Sequence, residues 1–146
     1  MSGEAVLVPL IWEYITGVAE AVEAAFYRAF RHGDVDAMAR VWLDGPEVSC
    51  IHPGRTGLCG HDAVMASWRA ILQAGDGFHI RFRLDSEFSS DRLVVRIGTE
   101  HLRIEGRSDA VLSVTNAFQR TPGGWLMVLH HAAPAHEGAS PARPLH

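Results

Sequence analysis

The stretch FHIRFRLDSEF, residues 78–88, marks the point at which the sequence changes from helical to extended periodicity. Apolar and polar residues alternate along it, which is the pattern of a strand with one buried face. The apolar face comprises Phe78, Ile80, Phe82 and Leu84. The polar face comprises His79, Arg81, Arg83 and Asp85. We therefore predict a long strand whose apolar face lies on a core.

Three more extended segments follow, at residues 92–104, 110–120 and 125–133. Turn-forming residues separate them, and TPGG at 121–124 is a tight hairpin signal. A shorter strand is predicted earlier, in EVSCIH at 47–52, which the Pro-Gly pair that follows ends. The second half of the chain is thus predicted to form an antiparallel sheet.

The first half has helical periodicity. Apolar residues recur at helical spacing over residues 11–30, which predicts a helix of five turns ended by Gly33, with Glu23 outside the apolar stripe. Asp34 is placed to cap a second helix, and a third opens at residues 60–62. Three helices followed by four long strands predict the α+β class, with helices packed on one face of the sheet.

Composition is that of a single globular domain: 146 residues, 47% hydrophobic, 21% charged and a net charge of −4. We place that domain at residues 9–134, between tails at 1–8 and 135–146. The acidic balance and the absence of a basic run give no support to nucleic-acid binding. No apolar run approaches the roughly 20 residues that cross a bilayer, so no membrane association is expected.

The cysteines, the histidines and the lack of nucleotide-binding motifs indicate the compartment of the protein and argue against a metal or a cofactor. Cys50 and Cys59 match no paired-cysteine motif, and the N-terminus is a poor signal peptide, so we expect a cytoplasmic protein. Nine histidines occur without an HxH or HExxH motif, so no metal site is expected. A phosphate-binding loop and a GxGxxG motif are also absent, so no cofactor is expected.

Three stretches carry a resemblance to a known family: AAFYRAFRHGDVDAMARVW, EVSCIHPGRTGLCGHDAVMASWRAIL and VTNAFQRTPGGWLMVLHHAAP. With the strands between them they cover about residues 15–134, and they resemble the SnoaL-like branch of the nuclear-transport-factor-2-like superfamily. The resemblance implies a cone, in which a curved mixed sheet wraps a long N-terminal helix, and a homodimer paired through the outer sheet face. Members include isomerases, cyclases, dehydratases and hydrolases, but also non-catalytic association domains such as those of kinases.

Ketosteroid isomerase, one of these members, needs a carboxylate base together with a tyrosine and a neutral acid. Aligned on residues 33–34, its tyrosine falls on Phe26, while Tyr27 lies about 100° around the helix and is expected to point elsewhere. Its base falls on Cys50 or His52, neither of which is a carboxylate. The isomerase constellation is therefore not expected.

Histidine remains the best candidate for proton transfer, because its ordinary pKa is about 6.5. Strand parity makes His52 and His131 the candidate catalytic residues, with His131 inward and His130 on the outer face. The alternative for each is a structural hydrogen bond to a loop, a strand or the long helix. On the second long strand, Val95, Ile97, Thr99 and His101 share one face.

Further residues are candidates for binding a ligand. They are Asn116, Trp68, Arg55, Cys50 and Phe26. Asn116 is polar on an apolar stripe, and Arg55 could hold a carboxylate. The alternatives are a structural network, core packing for Trp68 and Trp42, and a solvated loop arginine. Two functions stay open: a pocket for a small hydrophobic ligand, with or without acid–base catalysis, and a non-catalytic dimeric association or carrier domain.

Overall fold

A computed structural model describes residues 15–74 and 78–135. Within these ranges lie three complete helices and six strands. The helices are α1 (Ala19–His32), α2 (Val35–Val41) and α3 (His61–Ala74). The strands are β1 (Ser49–Ile51), β2 (Leu58–Cys59), β3 (Phe78–Ser89), β4 (Leu93–Ile104), β5 (Ala110–Thr121) and β6 (Gly124–Pro134). The predicted α+β class and the cone-shaped sheet are confirmed.

The sheet is mixed, with strand order β2-β1-β6-β5-β4-β3. Every neighbouring pair is antiparallel except β1 and β6, which run parallel. Strand β3 therefore forms one edge and β2 the other. The helices cover one face, and the core between helices and sheet is rich in aromatic rings, with Phe26 packed against Trp42 and Trp68. None of the helices in residues 15–74 and 78–135 could cross a membrane.

Helix α1 is shorter than predicted. Ile15 and Thr16 are helical, but the helix is interrupted at Gly17 and Val18, and Val18 is extended and 56% exposed. The predicted uninterrupted helix over residues 11–30 is therefore wrong at this break, and its first four residues lie outside the described ranges. Glycine explains the site of the interruption, because it is a poor helix former.

The predicted ends of the helices are otherwise confirmed. Gly33 ends α1 in the left-handed region, with φ of 63°, where glycine carries no steric penalty. Asp34 caps α2 by accepting a hydrogen bond from the Ala37 backbone N–H at 3.0 Å. These two residues fix the tight turn that lays α2 beside α1.

A register shift in the β5–β6 pair changes which residues of β6 face the core. Ala117 pairs with Leu129 and Phe118 pairs with Met127, so Val128 is an extra residue on β6. A bulge of this kind breaks the alternation of side chains along a strand. Met127 and His130, three residues apart, are consequently both buried, whereas His131 is exposed. The predicted inward placement of His131 and outward placement of His130 is therefore wrong.

The structure also shows which face of β4 is outward, and it corrects one residue of β3. The inward face of β4 consists of Val94, Arg96, Gly98, Glu100 and Leu102, so the face shared by Val95, Ile97, Thr99 and His101 is the outer one. On β3 the predicted alternation holds for Phe78, Ile80 and Phe82. Leu84 is 41% exposed, because it lies at a second register shift.

Candidate functional site

A row of polar side chains crosses the inner face of the sheet. Cys50 lies opposite His130, His130 opposite Asn116, Asn116 opposite Arg96, and Arg96 opposite Glu87. These five residues come from five strands and share one face. We call them the polar row. All but Glu87 are buried, so the row runs through the core to the solvent-exposed edge of the sheet.

Helix α1 faces the polar row with Glu23 and Tyr27, which are four residues apart and so lie on one side of the helix. Glu23 accepts hydrogen bonds from Arg96 at 2.9 Å and from Asn116 at 3.1 Å. Tyr27 donates to Glu100 at 2.6 Å and accepts from Asn116 at 3.1 Å. The predictions that Tyr27 points away and that Glu23 lies outside the buried stripe are therefore wrong.

The direction of each hydrogen bond in this network follows from chemistry. The Asn116 amide N–H groups donate to Glu23 and Tyr27, so its Oδ1 is the acceptor that faces His130 Nδ1 at 2.6 Å. His130 must therefore carry its proton on Nδ1. Its other ring nitrogen, Nε2, is then an acceptor, 3.9 Å from Glu100 Oε2.

Burial shifts the pKa values of this network strongly. Burial raises the pKa of Glu100 to about 7, although the hydrogen bond from Tyr27 offsets part of that effect. Burial also lowers the pKa of His130 to about 3, with smaller contributions from His52 and His131. The pKa of Glu23 is raised by burial, against the opposing effects of Asn116 and Arg96. At neutral pH, His130 is thus neutral and Glu100 is close to its midpoint.

The network is closed to ligands in this conformation. Asn116 is 0% exposed, Glu100 1% and His130 2%, and each is hydrogen-bonded to another protein group or lies beside one. Phe26, which packs against the His130 ring at 4.9 Å, is also fully buried. The candidate ligand-binding residues Asn116, Cys50 and Phe26 are therefore brought together inside the core rather than on a surface.

A second arrangement of polar residues is open to solvent. A groove of about 890 Å³ lies between α3, the segment after β1 and the β4–β5 turn. Its lining residues are His52, Arg55, Thr56, Leu58, Ser67, Ala70, Ile71, Ala74 and Arg107. We call it the His52 groove. It combines apolar walls with a few polar groups, which is typical of small-molecule sites.

His52 is fixed at the base of this groove. Its Nε2 lies 2.9 Å from Ser67 Oγ, and the Ser67 hydroxyl donates to the Val64 carbonyl at 2.6 Å. Since that hydroxyl proton is already used, the hydrogen bond to Ser67 requires His52 Nε2 to be the donor and Nδ1 the acceptor, and Cys50 Sγ lies 3.6 Å from the same Nε2. The Trp68 ring packs edge-on against His52 with centroids 4.9 Å apart. This arrangement holds the imidazole in one tautomer and one orientation.

The charge around the groove is uncompensated. None of the nine lining residues is acidic, whereas Arg55 and Arg107 are both exposed and both cationic. Burial lowers the pKa of His52, and the positive charge of Arg55 lowers it further. His52 is therefore neutral at physiological pH, and it can accept a proton through Nδ1.

The structure thus separates the residues predicted from the sequence into three places. His52 and Arg55 line the groove, with Trp68 packed beneath His52. Asn116, Cys50 and Phe26 lie in the core, and His131 lies on the outer face. Glu23, Tyr27, Arg96 and Glu100 were missed. The four-residue spacing of Glu23 and Tyr27 on α1 is the one signal that could have indicated a polar contact inside the cone.

Comparison with known proteins identifies the family of the chain. The family model of the SnoaL-like domain matches residues 19–137, so the chain belongs to that family, within the nuclear-transport-factor-2-like superfamily. Among curated proteins, F-box protein SKIP8 of Arabidopsis thaliana is 28% identical over 114 residues, which are 77% of this chain and 48% of that protein. The chain therefore spans about half the length of that curated relative.

Solved structures share the fold. The proposed calcium/calmodulin-dependent protein kinase type II association domain of Thiobacillus denitrificans is 36% identical, with 84% of this chain and 98% of that chain covered and a TM-score of 0.78. A proposed dehydratase of the NTF2-like family from Streptomyces avermitilis is 28% identical, with 79% and 91% covered and a TM-score of 0.74. The two names belong to different functional classes, so the fold alone does not decide between them.

Proposed function

We propose that this SnoaL-like domain binds a small amphipathic carboxylate in the His52 groove. The observation that carries the proposal is the surplus of positive charge there: Arg55 and Arg107 line the groove together with no acidic residue. Arginine presents a fork of N–H donors that matches a carboxylate. Leu58 and Ile71 offer an apolar surface for the remainder of the ligand.

His52 gives the same groove a chemical capability. The bond to Ser67 leaves Nδ1 as the acceptor, and the lowered pKa keeps the ring neutral. A neutral, oriented imidazole is suited to act as a general base. We therefore place acid–base catalysis on His52, if the bound ligand carries an acidic proton, and no longer on His131, which is exposed on the opposite face of the sheet.

A titration with octanoate tests the binding proposal, with octan-1-ol as the uncharged match. We expect octanoate to shift the NMR signals of His52 and Ser67, and Arg55→Ser to weaken octanoate binding about tenfold. The same substitution should leave octanol binding unchanged. Equal binding of the acid and the alcohol, or no binding of either, would contradict the proposal.

A specific observation favours an additional role as an association domain. Four apolar residues form a continuous patch on the outer sheet face: Phe88 lies opposite Val95, and Leu93 and Ile97 flank Val95 on β4. Phe88 is 65% exposed and Leu93 45%. Apolar patches of this kind mark interaction surfaces. We propose that a second copy of the chain covers this outer apolar patch, as the likeness to an association domain favours.

Sedimentation of a charged variant tests the dimer. Ile97→Lys places a cation in the outer apolar patch, and we expect it to convert a dimer to a monomer. Val18→Lys makes the same change at an exposed apolar residue away from the sheet, and it should leave the dimer intact. A monomeric wild type, or equal behaviour of both variants, would exclude the outer apolar patch as the interface.

A further inference from the structure

We propose that the chain carries a second binding site, for a small ligand with at least two negative charges, where the last turn of α1 meets the start of β3 and the end of β4. The site is a cleft of about 470 Å³. Its lining residues are Arg31, His79, Ile80, Arg81, His101, Leu102, Arg103, Asp109, Ala110 and Val111. We call it the basic cleft. It shares no lining residue with the His52 groove, and its existence does not depend on the function proposed above.

The basic cleft is positively charged, although the chain as a whole is negatively charged. Three arginines and one aspartate line the cleft, whereas the whole chain has a net charge of −4. Within residues 15–74 and 78–135, none of Arg31, Arg81 and Arg103 forms an ion pair. Arg31 only donates a weak hydrogen bond to the Ile80 carbonyl at 3.4 Å. The arginines therefore keep their capacity to bind an anion.

The register of β3 and β4 concentrates this charge. Arg81 lies directly opposite His101, and Arg103 lies directly opposite His79. Arg81 and Arg103 are therefore diagonal neighbours on one face of the two strands, with side chains roughly 7–8 Å apart and within reach of each other. An anionic ligand would stabilise this arrangement, because two arginines that form no ion pair within the described residues share one small area and each lies opposite a histidine that can donate a hydrogen bond.

Protection of a sheet edge is the simplest alternative explanation. Charged side chains on an edge strand prevent pairing with other chains, and β3 is an edge strand. That explanation covers His79 and Arg81, and it extends to Arg103, which lies beyond the last residue of β4 that pairs with β5. It does not cover His101, which is paired with Arg81 on one side and Val111 on the other. Edge protection therefore does not account for His101, nor for Arg31, which α1 adds to the cleft.

The size and chemistry of the cleft define the ligand class. A volume of about 470 Å³ lies within the range of small-molecule pockets. Arginine binds phosphate and carboxylate oxygens through two parallel N–H bonds. More than one arginine is available, so the ligand should carry at least two charges. Phosphate and polycarboxylate compounds share this chemistry.

Binding of pyrophosphate and of citrate, measured by calorimetry at constant ionic strength, tests the proposal. We expect at least one of them to bind, and the double variant Arg81→Ser, Arg103→Ser to weaken that binding by tenfold or more. The double variant Arg40→Ser, Arg69→Ser removes the same charge from exposed positions of α2 and α3 outside the cleft. It should change the affinity by less than twofold.

The two test ligands also show whether the cleft prefers phosphate compounds or polycarboxylates. Binding of pyrophosphate alone assigns the cleft to phosphate compounds, and binding of citrate alone assigns it to polycarboxylates; both outcomes support a polyanion site. Equal weakening by the two double variants would show nonspecific attraction and overturn the proposal. Failure of both ligands to bind, or preferential binding of an acidic peptide such as hexaglutamate, would overturn it as well.

Discussion

The polar row and the His52 groove both contain a histidine, but they differ in how their polar groups are satisfied. Around His130 the side chains of Asn116 and Glu23 are hydrogen-bonded to other protein groups, and the charge of Glu23 is matched by Arg96. Around His52 the imidazole is fixed by Ser67, while the two arginines of the groove have no acidic neighbour among its lining residues. Internally satisfied charge holds the fold, whereas uncompensated charge on a concave surface is available to a ligand.

The largest effect is expected inside the core. Asn116→Leu removes the donor and acceptor that join Glu23, Tyr27 and His130, and leaves their polar atoms buried without that partner. We expect a loss of about 3–5 kcal/mol in the free energy of unfolding, measured in urea. Ser113→Ala, at an exposed position of the same strand, should cost less than about 0.5 kcal/mol. Similar losses for both variants would show that the polar row contributes little.

A second effect concerns close packing beside the polar row. A Cβ at Gly98 would contact the Phe82 ring at 2.6 Å and also meet the Arg83 carbonyl oxygen. Phe82 stacks on Tyr27, so it cannot move without disturbing the network. We expect Gly98→Ala to cost about 2–4 kcal/mol in thermal or urea unfolding. Gly123→Ala serves as a control for added bulk, because its backbone is outside the left-handed region and the nearest atom to its Cβ position, Thr121 Oγ1, is 3.8 Å away.

The buried carboxyl group of Glu100 should make the stability of the protein depend on pH. The carboxyl of Glu100 has an ordinary pKa of 4.5 and a pKa of about 7 in the fold. Between these values the folded state holds a proton that the unfolded state has lost, so this contribution to stability falls as pH rises. Glutamine mimics the protonated carboxyl. Glu100→Gln should therefore match wild type near pH 4.5 and be about 2–3 kcal/mol more stable at pH 8.

The difference in stability between this variant and wild type measures the contribution of Glu100 to the pH dependence. The lowered pKa of His130 contributes in the opposite direction, with stability rising as pH increases from about 3 to 6.5. At pH 8 His130 is neutral in the folded and the unfolded states of both proteins, so the difference at that pH reports on Glu100. Urea unfolding at intervals of one pH unit gives the difference directly. A constant difference across the range would show that Glu100 is ionised in the fold at all these values.

The smallest effect on stability is expected in the His52 groove. Arg55 is exposed and its charge is solvated, so Arg55→Ser should change the free energy of unfolding by less than about 0.5 kcal/mol. The same variant is expected to lose octanoate affinity. Stability measured in urea and affinity measured on the same sample separate the two roles. A large loss of stability would place Arg55 with the structural residues.

Much of the fold could be predicted from the sequence, because it depends on local signals. The alternation in residues 78–88, the hairpin at 121–124 and the cap at Asp34 all act within a few residues. The inward position of Asn116 also followed from parity, since β5 is regular up to that residue.

The interior of the site could not be predicted in the same way. His130 faces inward and His131 outward, the reverse of the prediction, because β6 contains one extra residue, Val128. The position of that residue appears only in the pairing with β5. Glu23 looked solvent-facing because its partner, Arg96, is 73 residues away in the sequence. Sequence periodicity describes one element at a time, whereas burial of a charge depends on what another element places beside it.

The tautomers of the two histidines test the central claim most directly. Long-range ¹H–¹⁵N NMR at pH 7 reads the proton position on each ring, before and after addition of octanoate. We predict a proton on Nδ1 of His130 that octanoate leaves unchanged, and a proton on Nε2 of His52 whose ring signals move with octanoate. An Nε2 proton on His130, or a His130 ring that responds to octanoate while His52 does not, would contradict the division between a closed network and an open groove.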